Sequence, residues 1–100
     1  MKIKFRQAGG IAGQIEGCEL DSEDLESEEG RRLETLVKQC GYSRSLELTS
    51  SQGRDLLTYS IEIEGKAGRF TLAFDEMSVP KSCGALLEFL QARAQWRPPE

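Results

Sequence analysis

The sequence predicts an α+β fold in which a four-stranded antiparallel sheet carries two helices on one face, in the order ββαββα. Apolar and polar residues alternate over residues 57–63 and 70–74, on either side of a glycine-containing turn at 65–68, which is the pattern of a β-hairpin. Residues 27–40 and 80–94 instead repeat their apolar positions every three or four residues, as amphipathic helices do. Because each helical stripe must be buried, we expect both helices to cover the same face of the sheet.

A first hairpin is predicted before the first helix. Residues 2–6 alternate basic and apolar side chains, and residues 14–20 follow a short glycine-rich connection, so we expect two antiparallel strands. The apolar pattern of the second strand changes parity between Ile15 and Cys18. Gly17 lies between them and predicts a β-bulge that switches the faces.

The ends of the helices are also marked in the sequence. Ser27 is predicted to cap the first helix at its N-terminus, and Gly41 to end it. Pro80 suits the first turn of the second helix, whose apolar stripe extends to Ala94. The predicted core includes Leu36, Val37, Ile61, Phe70, Leu72, Leu86 and Leu90.

Length and composition bound the class of protein. The chain has 100 residues, 38% of them hydrophobic and 30% charged, which predicts one globular domain over residues 1–100. Its net charge of −4 disfavours nucleic acid, because phosphate groups repel an acidic protein. No apolar run is long enough to cross a bilayer. The alternating, charged opening residues are unlike a signal peptide, so we expect a cytoplasmic protein.

The three cysteines do not form a motif. Cys18, Cys40 and Cys83 are widely spaced and odd in number, which favours neither a zinc site nor a redox pair. Buried thiols behave as small apolar groups. We therefore expect these residues to belong to the core, as is usual in a reducing compartment.

No catalytic apparatus is recognisable. The chain contains no histidine, which removes the histidine-dependent nucleophilic triads and histidine metal sites. An EF-hand loop starting at Asp21 would need glycine sixth and glutamate twelfth, but Glu26 and Arg32 stand there. We expect a protein that is not an enzyme, has no cofactor and no metal, and acts by binding another protein.

The connection between the first two strands is the best candidate for a binding site. It consists of Gly9, Gly10, Ile11, Ala12 and Gly13, here called the glycine-rich segment. Glycine suits any tight connection, so the segment is explained equally well as a plain turn. Turn propensity does not account for a branched apolar residue at its centre, which either folds onto the core or points outward to a partner.

The glycine-rich segment, following its opening strand, resembles the start of the emfourin family, the protealysin inhibitors. The resemblance covers nearly the whole chain, from Ile3 to Ala92, and fits least well over residues 42–55 and around Gly17. Further positions that are similar to the family are Leu20, Asp21, Leu25, Leu33, Leu36, Val37, Tyr59, Ile61, Ile63, Val79, Pro80 and residues 86–90.

This resemblance implies a proteinaceous inhibitor of thermolysin-like zinc metallopeptidases, built on an antiparallel sheet covered by helices. It also implies an enzyme that favours a bulky apolar residue just after the scissile bond. Our hypothesis is that Ile11 fills that pocket, which would bring the carbonyls of Gly9 or Gly10 near the enzyme's zinc. If the glycine-rich segment is not the site, residues 50–55 and 21–26 are the next candidates for contact with the partner. The alternatives are a binding or regulatory module with a different partner, as a monomer or a weak dimer through an edge strand, and an enzyme of unknown type.

Overall fold

The computed structural model describes residues 1–9, 14–49, 56–66 and 68–97. The described chain forms one six-stranded sheet in the order β3-β5-β4-β1-β2-β6. Every neighbouring pair is antiparallel except β3 and β5, which are parallel. The elements are β1 (Lys2–Gly9), β2 (Gln14–Asp21), α1 (Ser27–Cys40), β3 (Leu46–Leu48), β4 (Leu57–Gly65), β5 (Gly68–Asp75), a 3₁₀ turn (Lys81–Cys83), α2 (Gly84–Gln91) and β6 (Gln95–Arg97).

The α+β class and the four long strands are confirmed, but the four-stranded antiparallel sheet in the order ββαββα is wrong in detail. β3 and β6 extend the sheet at its two edges, and the parallel β3 makes it mixed. Each added strand has three residues, too few to show an alternation of period two. The predicted second helix is also shorter: α2 ends at Gln91, and Ala94 packs against the core from the connection to β6.

One buried face of the sheet meets both helices. Ile3 and Phe5 of the central strand β1 lie opposite Ile63 and Ile61 of β4. These residues share one cluster with the apolar stripes of both helices. The predicted core is confirmed apart from Phe70, which is half-buried. Fully buried side chains of this core include Leu33, Leu72, Phe74, Leu86 and Leu90.

The bulge predicted at Gly17 does not exist. The ladder between β1 and β2 is continuous from Lys2 opposite Asp21 to Gly9 opposite Gln14. A Cβ at Gly17 would overlap the backbone carbonyl oxygen of Phe5, so glycine lets the two strands approach at this pair. The parity changes because the apolar residues of β2 lie on both faces of the sheet. Cys18 and Leu20 lie opposite the buried Phe5 and Ile3, on the helix-covered face, whereas Ile15 lies on the other face.

The helix ends differ by one or a few residues from the prediction. Glu26, not Ser27, is the N-cap of α1, and no side chain caps that end. Gly41 adopts a left-handed conformation with φ of 78°, and its N–H donates to the carbonyl of Lys38, which confirms the predicted helix end. Pro80 precedes the 3₁₀ turn that leads into α2.

Two helical glycines provide a matched pair of substitutions. Gly30 lies against the backbone carbonyl of Ser22, which a Cβ would overlap, whereas a Cβ at Gly84 would meet nothing within 4 Å. Gly30→Ala should lower the free energy of unfolding by about 1–3 kcal/mol, because the overpacking outweighs a helix-propensity gain of about 1 kcal/mol. Gly84→Ala should raise it by about 0.4–1 kcal/mol. Urea denaturation of both variants measures the difference, and equal stabilisation by both would contradict the close approach.

All three cysteines are buried thiols, as expected. The Sγ of Cys18 lies 3.7 Å from the carbonyl oxygen of Leu90, toward which it donates a weak hydrogen bond. Burial, together with the neighbouring Cys83 thiol, raises the pKa of Cys40 to about 12. Burial also raises the pKa of Tyr59, and the Glu76 carboxylate adds to the rise. Both groups are therefore held in their neutral forms in the folded protein.

Alkaline pH is expected to destabilise the domain. A raised pKa in the folded state stabilises the protein below the unfolded-state pKa, and this contribution is lost as pH rises toward the folded value. For Cys40 the loss runs from about pH 9 to about pH 12. Urea unfolding at pH 8 and pH 10.5 should show a lower midpoint at the higher pH. The drop should be smaller in Cys40→Ala and in Tyr59→Phe, and equal drops in all three proteins would contradict the assignment.

Candidate functional site

The glycine-rich segment connects the two strands whose ladder ends at Gly9 and Gln14. Of its five residues, the structure describes Gly9, whereas residues 10–13 lie outside the described residues. β1 is paired along its whole length with β2 on one side and β4 on the other. The base of the segment is therefore held by hydrogen bonds on both sides.

Gly9 has two structural reasons to be glycine. Its φ of +103° lies in a region that other residues rarely adopt. A Cβ there would also lie 2.7 Å from the backbone carbonyl oxygen of Leu56. Since Gly9 also lies opposite Leu57, the first hairpin ends tightly against the beginning of β4. Thr58 adds a hydrogen bond from its Oγ1 to the carbonyl of Ala8, at 3.3 Å.

The connection from β5 to α2 lies at the same end of the sheet. The backbone N–H of Glu76 donates to the carbonyl of Leu57 at 2.9 Å, and the Leu57 N–H donates to Oε1 of Glu76 at 3.0 Å. The next residue, Met77, is 66% exposed, an unusual exposure among the large apolar side chains that the structure describes. Its N–H is fixed by Oδ1 of Asp75 at 2.9 Å. An exposed apolar side chain thus lies at the same end of the sheet as Gly9, with Leu57 between them.

Sequence reasoning did not single out Met77. In the sequence, Met77 is an apolar residue between the polar Glu76 and Ser78, in a connection that is not predicted to be buried. Its neighbourhood with Gly9 depends on the β1–β4 ladder and on the bonds between Leu57 and Glu76. These contacts join residues far apart in the chain, which no local pattern reveals.

Of the two further candidate segments, residues 50–55 and 21–26, the structure describes only the second. Residues 50–55 are outside the described residues; they precede Leu56, whose carbonyl oxygen would lie 2.7 Å from a Cβ at Gly9. Residues 21–26 begin opposite Lys2, at the other end of β1. Eight residues of strand separate the two ends by about 23 Å at 3.3 Å per residue. The acidic segment is therefore not part of the same surface.

The acidic segment has a local structural role instead. Oδ1 of Asp21 accepts a hydrogen bond from the backbone N–H of Glu23 at 3.0 Å. The hydroxyl of Ser22 donates to Oε2 of Glu34 at 2.8 Å. These bonds shape the connection from β2 into α1 and tie it to the helix.

The described residues were also searched for metal-ligating groups and reactive thiols. Across residues 1–9, 14–49, 56–66 and 68–97, no three histidine, cysteine, aspartate or glutamate side chains are grouped so that they could hold a metal ion. The buried thiol of Cys40 is kept protonated by its raised pKa, and a thiol in that state is a poor nucleophile. None of the helices in the described chain is sufficiently long and apolar to span a membrane.

Comparison with protein-family models identifies the family to which the chain belongs. The family model named Emfourin matches residues 5–91, a span from β1 to the end of α2 that includes the glycine-rich segment. Comparisons with curated proteins and with solved structures gave no match. Since the matched span is well over half of the 100 residues, the chain belongs to the emfourin family.

Proposed function

We propose that this protein inhibits a thermolysin-like zinc metallopeptidase by inserting the glycine-rich segment into the active-site cleft. The observation that carries the proposal is the family match over residues 5–91, which supports an inhibitor of metallopeptidases. The cleft-blocking role of Gly9, Gly10, Ile11, Ala12 and Gly13 is the finer part of the proposal.

The structure around Gly9 supports this role. An inhibitory segment binds more tightly when its ends are already ordered, because less conformational freedom is lost on binding. β1 is paired on both sides as far as Gly9, which lies opposite Gln14 in β2 and Leu57 in β4. The segment thus leaves the sheet from a fixed base.

Ile11 is the proposed anchor. It is the bulky apolar residue of the segment, and thermolysin-like enzymes favour such a residue just after the scissile bond, as the resemblance implies. The carbonyl of Gly9 or Gly10 would then lie near the enzyme's zinc. Glycines beside the anchor allow the backbone to approach the enzyme closely.

Met77 is the second proposed contact. Its exposed side chain lies at the same end of the sheet as Gly9, so we expect a partner that covers the glycine-rich segment to contact it. Met77→Asp should raise the inhibition constant by about three- to tenfold, which corresponds to about 1 kcal/mol for a contact outside the centre of an interface. Met77→Leu should restore the parent value, and both variants should melt like the parent because the side chain is in solvent. Parent-like inhibition by Met77→Asp would exclude this contact.

A titration tests the function directly. Increasing amounts of the protein are added to a thermolysin-like peptidase acting on a fluorogenic peptide. We expect activity to fall to zero near one equivalent, with the inhibitor uncleaved on a gel. Full activity at a large excess against several such peptidases would contradict the proposal and favour a binding module with another partner.

A further inference from the structure

A groove lies at the end of the sheet opposite Gly9. It runs between the C-terminal end of α1 and the hairpin that joins β4 and β5, and encloses about 610 Å³. That volume is typical of a ligand site. Its apolar walls come from Val37, Tyr42, Ile63 and Phe70. We call it the hairpin groove.

One wall of the hairpin groove is the outer edge of β5 at residues 68–70, with which no described strand pairs. β3 pairs with β5 only over Leu72–Phe74, and the N–H of Thr71 donates to the Ser45 hydroxyl at 3.0 Å. At Gly68, Arg69 and Phe70 the inner edge pairs with β4, while no described strand pairs with the outer edge.

The direction of the free backbone groups follows from the strand geometry. Backbone N–H and C=O groups alternate between the two edges of a strand. Because the Thr71 N–H points to the outer edge, the backbone groups of Arg69 point there too. An extended chain in the groove can therefore pair with β5 as an added strand.

The charge of the groove indicates what kind of chain fits. Its charged lining residues are Lys38, Lys66 and Arg69, with no acidic side chain among the described lining residues. The guanidinium of Arg69 lies 3.6 Å from the Glu62 carboxylate, on the sheet face away from Phe70 because side chains alternate along a strand. The charge of the rim therefore rests on Lys38 and Lys66. The whole protein has a net charge of −4, so this basic rim is a local departure that attracts an acidic ligand.

We infer that the hairpin groove binds an extended, acidic peptide segment of another protein, with an apolar side chain between the walls and glutamates or aspartates at the basic rim. A second copy of this chain fits less well. Twofold pairing of β5 with itself would bring the same Lys66 and Arg69 side chains of two copies together, and like charges across a pair of strands are destabilising. The inference is independent of the proposed inhibitory function, because the groove and Gly9 lie at opposite ends of β1.

The test uses the full chain and a labelled hexapeptide in which a valine–phenylalanine pair is flanked by two glutamates on each side. We expect saturable binding by fluorescence anisotropy that weakens with added salt. A control peptide with lysines in place of the glutamates should not bind. In ¹⁵N-labelled protein, the amides of Gly68, Arg69 and Phe70 should shift, and the Arg69 amide should gain protection from hydrogen exchange.

Matched variants locate the site. Lys38→Glu combined with Lys66→Glu should weaken peptide binding at least about tenfold, whereas Lys81→Glu, an exposed charge reversal outside the groove, should leave it within about twofold. The double variant should keep the parent's NMR fold and melting temperature. The inference is overturned by equal binding of the lysine peptide, by shifts confined to other residues, or by no binding at millimolar peptide. A dimer that the double variant abolishes would also overturn it, in favour of self-association.

Discussion

The Ile11→Asp variant is expected to inhibit a thermolysin-like peptidase at least about tenfold more weakly than the parent while remaining folded. Interfaces concentrate their energy in a few apolar anchors, each costing about 2 kcal/mol or more on truncation. An aspartate at the anchor would also bring an uncompensated charge into a desolvated pocket. The inhibition constant measures the loss, and circular dichroism with a thermal melt measures the fold.

The control for Ile11→Asp is Gln39→Glu, which adds the same charge at an exposed position of α1 and should leave inhibition unchanged. If Ile11→Asp lowers the melting temperature sharply, Ile11 belongs to the core, since burying an unpaired charge destabilises a domain. If it stays folded and inhibits like the parent, the glycine-rich segment is not the site. Residues 50–55 and Met77 would then be the next candidates.

The Gly10→Val variant shows whether Gly10 contacts the partner or only shapes the turn. A branched side chain there should harm inhibition through bulk and backbone strain. It should also lower stability if Gly10 has a positive φ, as Gly9 does at +103°. Loss of inhibition without loss of stability would place Gly10 in the interface, whereas loss of both would assign it to the turn itself.

The sequence predicted the long elements because each repeats its pattern many times. The β4–β5 hairpin offers seventeen strand residues in two strands, nine and eight long, and α1 has fourteen residues. β3 and β6 have three residues each, and their place at the sheet edges comes from partners distant in the chain. Local pattern therefore predicted the layers correctly and the width of the sheet incorrectly.

For the candidate site, too, the local sequence predicted some features, whereas contacts between residues distant in the chain determined others. The composition of the glycine-rich segment singled it out, and the structure supplies the physical reason at Gly9, where φ and the Leu56 carbonyl both require glycine. Met77 was missed because its position near Gly9 depends on hydrogen bonds between Leu57 and Glu76. Phe70 was predicted as core, yet it is half-buried, since it lines the hairpin groove.

Gly17→Val should be the most damaging single substitution for the fold. In the first hairpin Gly17 lies opposite Arg6, and a Cβ would overlap the backbone carbonyl oxygen of Phe5. Backbone of the central strand cannot move aside, because β1 is paired on both edges and Phe5 is only 1% exposed. A branched side chain exceeds the single Cβ, so we expect a loss of about 3 kcal/mol or more, at the upper end of overpacking costs. That is a large part of the 5–15 kcal/mol typical of a whole domain.

The matched control is Gly65→Val, the same substitution in β4 at a position where a Cβ would meet nothing within 4 Å. Valine favours strands and glycine does not, so Gly65→Val should leave the free energy of unfolding unchanged or raise it. Guanidinium denaturation compares the two variants with the parent. The tight β1–β2 approach also fixes the strand that carries Gly9, so any Gly17→Val protein that folds at low temperature should inhibit more weakly than Gly65→Val. Equal stability of the two variants would show that the strands separate at Gly17 without cost, and the glycine-rich segment would then lack the rigid base on which its proposed role depends.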